Sequence, residues 1–212
     1  IDTSSLALDL GCGTGEVSQI LDPATRIVDL DFSYQMLRSN NSNSVKLCSN
    51  MSQLPFCTSS SFSHIFSSFC FQWLSIKDIE DTLKNVEQFL AKKSTMSFCL
   101  PISGSFREIA DCNKDVNCDF RFIKFHNENE INKIVKNLNF QQVKIEATEH
   151  KIQYQNLVSF LKTIKKSGAG YKFDKRNSNI TQKKLKKVSD ILFKKYDNFI
   201  TWKVLNCYLL KI

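Results

Sequence analysis

A short apolar run, Leu6-Ala-Leu-Asp-Leu10, leads straight into Gly11-Cys-Gly-Thr-Gly15, and no other stretch of the chain restricts its fold as tightly. Glycines at alternate positions permit a tight turn. They also let the backbone come close to a bound ligand, since no Cβ stands in the way. The next residues, Thr14–Leu21, read as a helix that Asp22-Pro23 stops. Strand, glycine turn and helix in that order open an alternating α/β sheet.

The alternation continues along the chain. Arg26–Leu30 reads as a second strand, Tyr34–Arg38 as a short helix and Val45–Cys48 as a third strand, with the Asn/Ser cluster Ser39–Ser44 as a loop. Phe62–Phe69 makes a fourth strand, whose apolar run continues through Phe71 to Trp73. Ile79, Leu83, Val86 and Leu90 lie at helical spacing within Ile76–Leu90. Thr95–Leu100 gives a fifth strand, Asn129–Leu138 a helix, Gln142–Glu149 a strand and Leu157–Lys166 a helix. A Lys-rich helix over Thr181–Tyr196 and a long strand over Phe199–Ile212 close the chain. The pattern predicts a Rossmann-like, doubly wound seven-stranded sheet, mostly parallel with an antiparallel C-terminal strand. At 212 residues, without a repeat or a separating linker, 1–212 reads as a single domain.

Composition excludes several classes. With 42% apolar and 24% charged residues, 6 Gly and 3 Pro, the chain is neither disordered nor fibrous. No apolar run approaches the ~20 residues of a membrane span, and no secretory signal opens the chain, so a cytoplasmic, membrane-free protein is expected. The eight cysteines form no CxxC pair and read as reduced thiols. His64, His126 and His150 lack metal-ligand spacing, and no metal is expected. Charge is uneven: residues 1–150 carry −4 and residues 151–212 carry +12. A basic C-terminal third suits an acidic partner, though lysines on helix faces are often simple solvation.

The glycine loop departs from the dinucleotide fingerprint GxGxxG, because its third glycine comes one residue early. Asp9, two residues before the first glycine, suits a ligand with an ammonium group better than a diphosphate. The run LDLGCGTG resembles motif I of the class I S-adenosylmethionine-dependent methyltransferases. That resemblance implies S-adenosylmethionine as cofactor, lined by Gly11, Cys12, Gly13 and Gly15, with Asp9 close to the amino-acid moiety. Val28-Asp-Leu-Asp-Phe-Ser33 followed by Met36-Leu37 is similar to the family's second motif. It implies Asp31, or as the weaker candidate Asp29, on the ribose hydroxyls, with Phe32 flanking the adenine and Met36 nearby. Asn50-Met-Ser-Gln-Leu-Pro-Phe56 resembles the third motif, with Asn50 in place of an acid and Met51 beside it. An Asn carbonyl can still accept from the adenine amino group, without charge assistance. Ser68 and Phe69, at the end of the fourth strand, are further cofactor candidates.

For the methyl acceptor, four segments occur in order: Phe71-Gln72-Trp73, Gly104-Ser-Phe-Arg-Glu-Ile109, Leu161 to Gly170, and Phe199-Ile-Thr-Trp-Lys-Val204. Together they resemble the malonyl-[acyl-carrier protein] O-methyltransferases of biotin synthesis, with Trp202 in place of the usual Tyr. The resemblance implies malonyl-acyl carrier protein as partner and substrate. It makes Gln72, Trp73 and Arg107 candidate substrate contacts, with no dedicated catalytic residue. Lys183, Lys184, Lys186 and Lys187 form the densest basic cluster for an acidic carrier. The family's N-terminal helical cap has no counterpart here, which implies an open site near Phe69 and Trp73. Alternatives remain: an RNA or other small-molecule methyltransferase, a related assembly factor that hydroxylates protein arginine, and a cofactor-binding remnant. A nucleic-acid partner is disfavoured, since the basic helix is not interleaved with aromatic residues.

Overall fold

A computed structural model describes residues 6–57, 61–116, 124–166 and 181–211. The elements are β1 (Leu6–Leu10), α1 (Glu16–Ile20), β2 (Arg26–Asp31), α2 (Tyr34–Arg38), β3 (Val45–Cys48) and β4 (Phe62–Ser68). A 3-10 turn (Phe71–Trp73) precedes α3 (Ile76–Glu87), β5 (Leu90–Pro101), α4 (Arg107–Val116) and α5 (Glu128–Lys136). Then come β6 (Gln142–Gln153), α6 (Leu157–Lys166), α7 (Gln182–Tyr196) and β7 (Phe199–Lys211). The strands form a seven-stranded sheet in the order β3-β2-β1-β4-β5-β7-β6. β1 pairs in parallel with β2 and β4, β2 with β3, and β4 with β5. The C-terminal strands are antiparallel, so the sheet is the mixed, doubly wound type that the sequence predicts. Strand order reverses at β1, which places the loops after β1 and β4 at the switch point where such sheets bind ligands.

The chain folds as two compact units. The first comprises residues 1–102, 126–147 and 205–212. Its core joins Leu8, Leu10, Leu30, Ile65, Met96, Phe98 and Leu100 from the strands to Ile79, Leu83 and Val86 of α3 and Ile131 and Val135 of α5. Each is nearly or fully buried, worth about 1.5–3 kcal/mol relative to exposure. Both helices begin on side-chain caps: Ser75 accepts from the Asp78 N–H, and Asn127 forms a capping box with Glu130.

The second unit comprises residues 103–125 and 148–204. Phe106 sits at its centre with φ 60°, its ring edge-on to Phe160 at 5.0 Å and Trp202 at 4.6 Å. Ile109, Val188, Leu192 and Ile200 close the cluster. The Gly104-Ser105 turn is tied to β7: Ser105 Oγ donates to the Lys203 carbonyl (3.0 Å) and accepts from its N–H (2.9 Å). Buried Glu108 accepts from both the N–H and the hydroxyl of Thr201.

Three local expectations need correction. The fourth strand does not continue to Trp73. It ends at Ser68, Phe69 turns at φ 50°, and a 3-10 turn follows. That reversal puts Phe71 fully inside, against Phe98 at 5.1 Å. α4 has no counterpart in the sequence reading, and β5 begins five residues earlier than its apolar run suggested. The Gly168–Gly170 segment lies outside the described residues. No helix among the described residues is long and apolar enough to cross a membrane.

Candidate functional site

The glycine loop is anchored to the end of β2. The Gly11 and Cys12 N–H groups both donate to the Leu30 carbonyl, at 2.7 and 3.1 Å, and Gly15 N–H closes the turn on the Cys12 carbonyl at 2.9 Å. Gly11, Gly13 and Gly15 all have φ between 56° and 80°, a region that L-residues with a Cβ rarely adopt.

The three glycines do different work. A Cβ on Gly13 would touch only the Met36 methyl, at 3.8 Å, so this is the open face of the loop. A Cβ on Gly11 would stand 2.0 Å from Cys70 Sγ, with the Met51 methyl at 3.1 Å; its absence makes room for the turn after β4. A Cβ on Gly15 would meet the Asn40 amide at 2.3–2.5 Å. Cys12 is buried, and burial together with Asp29, Asp9 and Asp31 pushes its thiol pKa up.

Three aspartates gather under this loop, and their partners separate their roles. Asp31 is 7% exposed. Its Oδ2 accepts from the Gly13 N–H (2.9 Å) and its Oδ1 from the Ser33 N–H (2.7 Å), leaving lone pairs for further donors. Asp29, the weaker ribose candidate, is fully buried and turned away into a set of side-chain donors. It accepts from Asn40 Nδ2 (2.6 Å), Ser42 Oγ (3.0 Å), Ser44 Oγ (2.5 Å) and Ser18 Oγ. Asp9, beside Asp29 in the strand register, is 1% exposed, and neither of its oxygens has a hydrogen-bond partner. Burial first, then the charges of Asp29, Asp31 and Glu16, push its carboxyl up to about 8. A buried carboxylate without donors is costly unless a ligand supplies them.

The remaining candidates fall around this centre. Phe32 is 78% exposed and free to act as a flat apolar surface. Asn50 is exposed, and its Oδ1 accepts from the Ser52 N–H (2.9 Å). Met51 is buried. Ser68 is exposed with its hydroxyl 3.6 Å from Cys99 Sγ. Gln72 is buried, and its Nε2 donates to the Phe69 carbonyl (2.6 Å); it fixes the turn rather than facing outward. Trp73 is 41% exposed. Arg107 belongs to the second unit, where its guanidinium forks onto Glu149 at 2.8 and 2.9 Å. Sequence reasoning missed Cys70 and Asn40. Neither carries a motif signal; both are found only by what fills the space beside a glycine.

Residues 8–98 match the methyltransferase-domain family. Its cofactor is S-adenosylmethionine, and the residues fit it: an orphaned carboxylate at Asp9 for the ammonium, Asp31 for the ribose, and an open loop face at Gly13. No curated protein matches the chain. Among solved structures, a Bacillus halodurans C-125 protein is 12% identical, with a TM-score of 0.67 over 100% of this chain and 94% of that one. A SAM-dependent methyltransferase from Archaeoglobus fulgidus is 14% identical, with a TM-score of 0.61 over 98% of this chain and 86% of that one. The plantazolicin methyltransferase BpumL, solved with SAH, is 12% identical, with a TM-score of 0.54 over 98% and 76%. At such identities the likeness concerns the fold. No His/Cys/Asp/Glu group among the described residues could hold a metal ion.

Proposed function

We propose that this methyltransferase esterifies a free carboxylate, that of a malonyl thioester on acyl carrier protein, as a cytoplasmic step of biotin synthesis. The observation that carries the reading is α7. It holds six lysines and one acid, with Lys183, Lys186, Lys187 and Lys194 exposed, a surface complementary to an acidic carrier. The ordered resemblance from Phe71 to Val204 supports the same acceptor.

The chemistry asks little of the chain beyond placement. The cofactor supplies an electrophilic methyl group on a sulfonium. A malonyl carboxylate is ionised near neutral pH, its reference pKa being about 4, and attacks without a general base. The described histidines agree with that economy: His64 Nδ1 pairs with Thr95 Oγ1 (2.8 Å), His126 Nε2 with the Leu74 carbonyl (2.9 Å) and His150 Nε2 with Thr148 Oγ1 (3.0 Å). Asp9, Gly13 and Asp31 hold the donor. In this reading the acceptor approaches at the turn after β4, beside Phe69 and the half-exposed Trp73. Rate enhancement then comes from proximity, orientation and exclusion of water.

The test is methyl transfer from labelled S-adenosylmethionine to malonyl-carrier protein, malonyl-coenzyme A and bulk RNA. The expected product is a base-labile ester on the carrier-bound malonyl group. Reversing Lys183, Lys186 and Lys187 to Glu slows transfer to the carrier protein and spares malonyl-coenzyme A, because rim charges act mainly on encounter. Label in RNA with none on malonyl thioesters rejects the carboxylate reading. Equal loss with both thioesters assigns the lysines to the fold.

A further inference from the structure

We infer that Asn40, held in place by buried Asp29, is a positioning residue of the cofactor site: it forms the fixed floor on which the last glycine of the loop turns. The inference rests on the cofactor reading of the glycine loop and is independent of the acceptor. Asp29 is fully buried and is met by hydroxyls from Ser18, Ser42 and Ser44 and by the Asn40 amide. Three of these donors converge on Oδ2 and the fourth, Ser18, meets Oδ1, so both carboxylate oxygens are held and the group is fixed with everything bonded to it.

Asn40 itself is 4% exposed. Its amide is locked at both ends, Nδ2 donating to Asp29 (2.6 Å) and Oδ1 accepting from the Ser42 N–H (2.9 Å), so it can neither flip nor rotate away. That plane lies where a Cβ on Gly15 would stand. Gly15 takes φ 80° above it, donates to the Cys12 carbonyl and opens α1. Two residues along β2 from Asp29, Asp31 grips the same loop at the Gly13 N–H. β2 therefore sets the loop at three points: through the Leu30 carbonyl, through Asp31, and through Asn40 by way of Asp29. Ser18, on α1, ties the helix after the loop to the same carboxylate. A loop that must bind its ligand through backbone atoms gains from this, since its own side chains cannot adjust to correct an error of position.

The test is a double-mutant cycle on cofactor affinity, measured by calorimetry with S-adenosylmethionine and S-adenosylhomocysteine on Gly15→Ala, Asn40→Ala and the double variant. Melting temperatures without ligand, and steady-state kinetics, accompany it. Asn40→Ala is expected to raise Kd and the cofactor KM at least tenfold while kcat stays within about twofold. A merely structural loss lowers the active fraction and kcat without moving KM. Gly15→Ala is expected to cost over a hundredfold in affinity in the native background and about tenfold or less beside Asn40→Ala. Additive losses, or unchanged affinity in Asn40→Ala, overturn the inference. Should a variant not fold, Ser42→Ala, which keeps the Ser42 N–H on Asn40 but removes one hydroxyl donor from Asp29 and so loosens the anchor of the Asn40 amide, is expected to raise Kd several-fold, and unchanged binding there counts against it. Absence of binding by the native protein rejects the cofactor reading itself and the inference with it.

Discussion

Asp9 shows how burial turns an ordinary side chain into a ligand sensor. An unfolded aspartate loses its proton near pH 4, whereas the buried carboxyl keeps it until about 8. Between those values the native state binds the extra proton, so this residue makes stability fall as pH rises, by about 1.4 kcal/mol per unit, and the fall ends above about pH 8. Asp9→Asn is expected to remove that slope from pH-dependent melting of the ligand-free protein. Pairing with the cofactor ammonium reverses the balance. Below pH 8, binding expels the Asp9 proton and tightens as pH rises. Above it, the free amino group, with a pKa of about 7.7–8.0, must take a proton up. Affinity therefore peaks near pH 8. Calorimetry in buffers of different ionisation enthalpy detects the released proton, and an affinity independent of pH between 6 and 8 contradicts the pairing.

At the scale of elements, the glycine loop and the turn after β4 are one packed object. Gly11→Ala drives a Cβ into Cys70 at φ 70°; backbone strain and overpacking together are expected to cost about 3 kcal/mol or more. Gly13→Ala meets only Met36 at contact distance, costs about 1–2 kcal/mol from its φ alone, and removes cofactor binding by filling the open face. Thermal melts with and without S-adenosylmethionine separate the two effects; equal destabilisation by both variants contradicts this division. Strand, glycine turn and helix were legible because each used a strong local signal; the second motif also singled out Asp31, whose carboxylate accepts from the Gly13 N–H. The turn at Phe69 was not legible, because Ile65 to Trp73 is apolar throughout and periodicity cannot show where a buried strand ends. α4 was hidden for a related reason: Ile109, Cys112 and Val116 are a narrow stripe in an otherwise polar segment. The start of β5 was masked by Lys92 and Lys93, the latter at φ 58°. The second motif ranked Asp31 above Asp29; both lie on one face of β2, and it is their donors that differ.

Across the whole molecule, charge and chemistry are divided along the chain. The first unit gathers Asp9, Asp29 and Asp31 beneath a backbone loop, an environment suited to a cationic ligand. The second carries the lysines of α7 around a separate aromatic core. The sheet order was legible as a class because strands and helices alternate, while the partition into two compact units was not, because the change of charge near residue 150 marks only one of the two stretches that make up the second unit and nothing marks residue 103. The central claim is that the loop and its carboxylates are built for S-adenosylmethionine, and calorimetric titration of that ligand tests it most directly. The account predicts one site per chain, a Kd raised roughly 10–100-fold by Asp31→Ala, the scale of one hydrogen bond to a charged group, and no competition from NAD. Binding of NAD in place of S-adenosylmethionine, or an Asp31→Ala protein that binds as tightly as the native one, would contradict it.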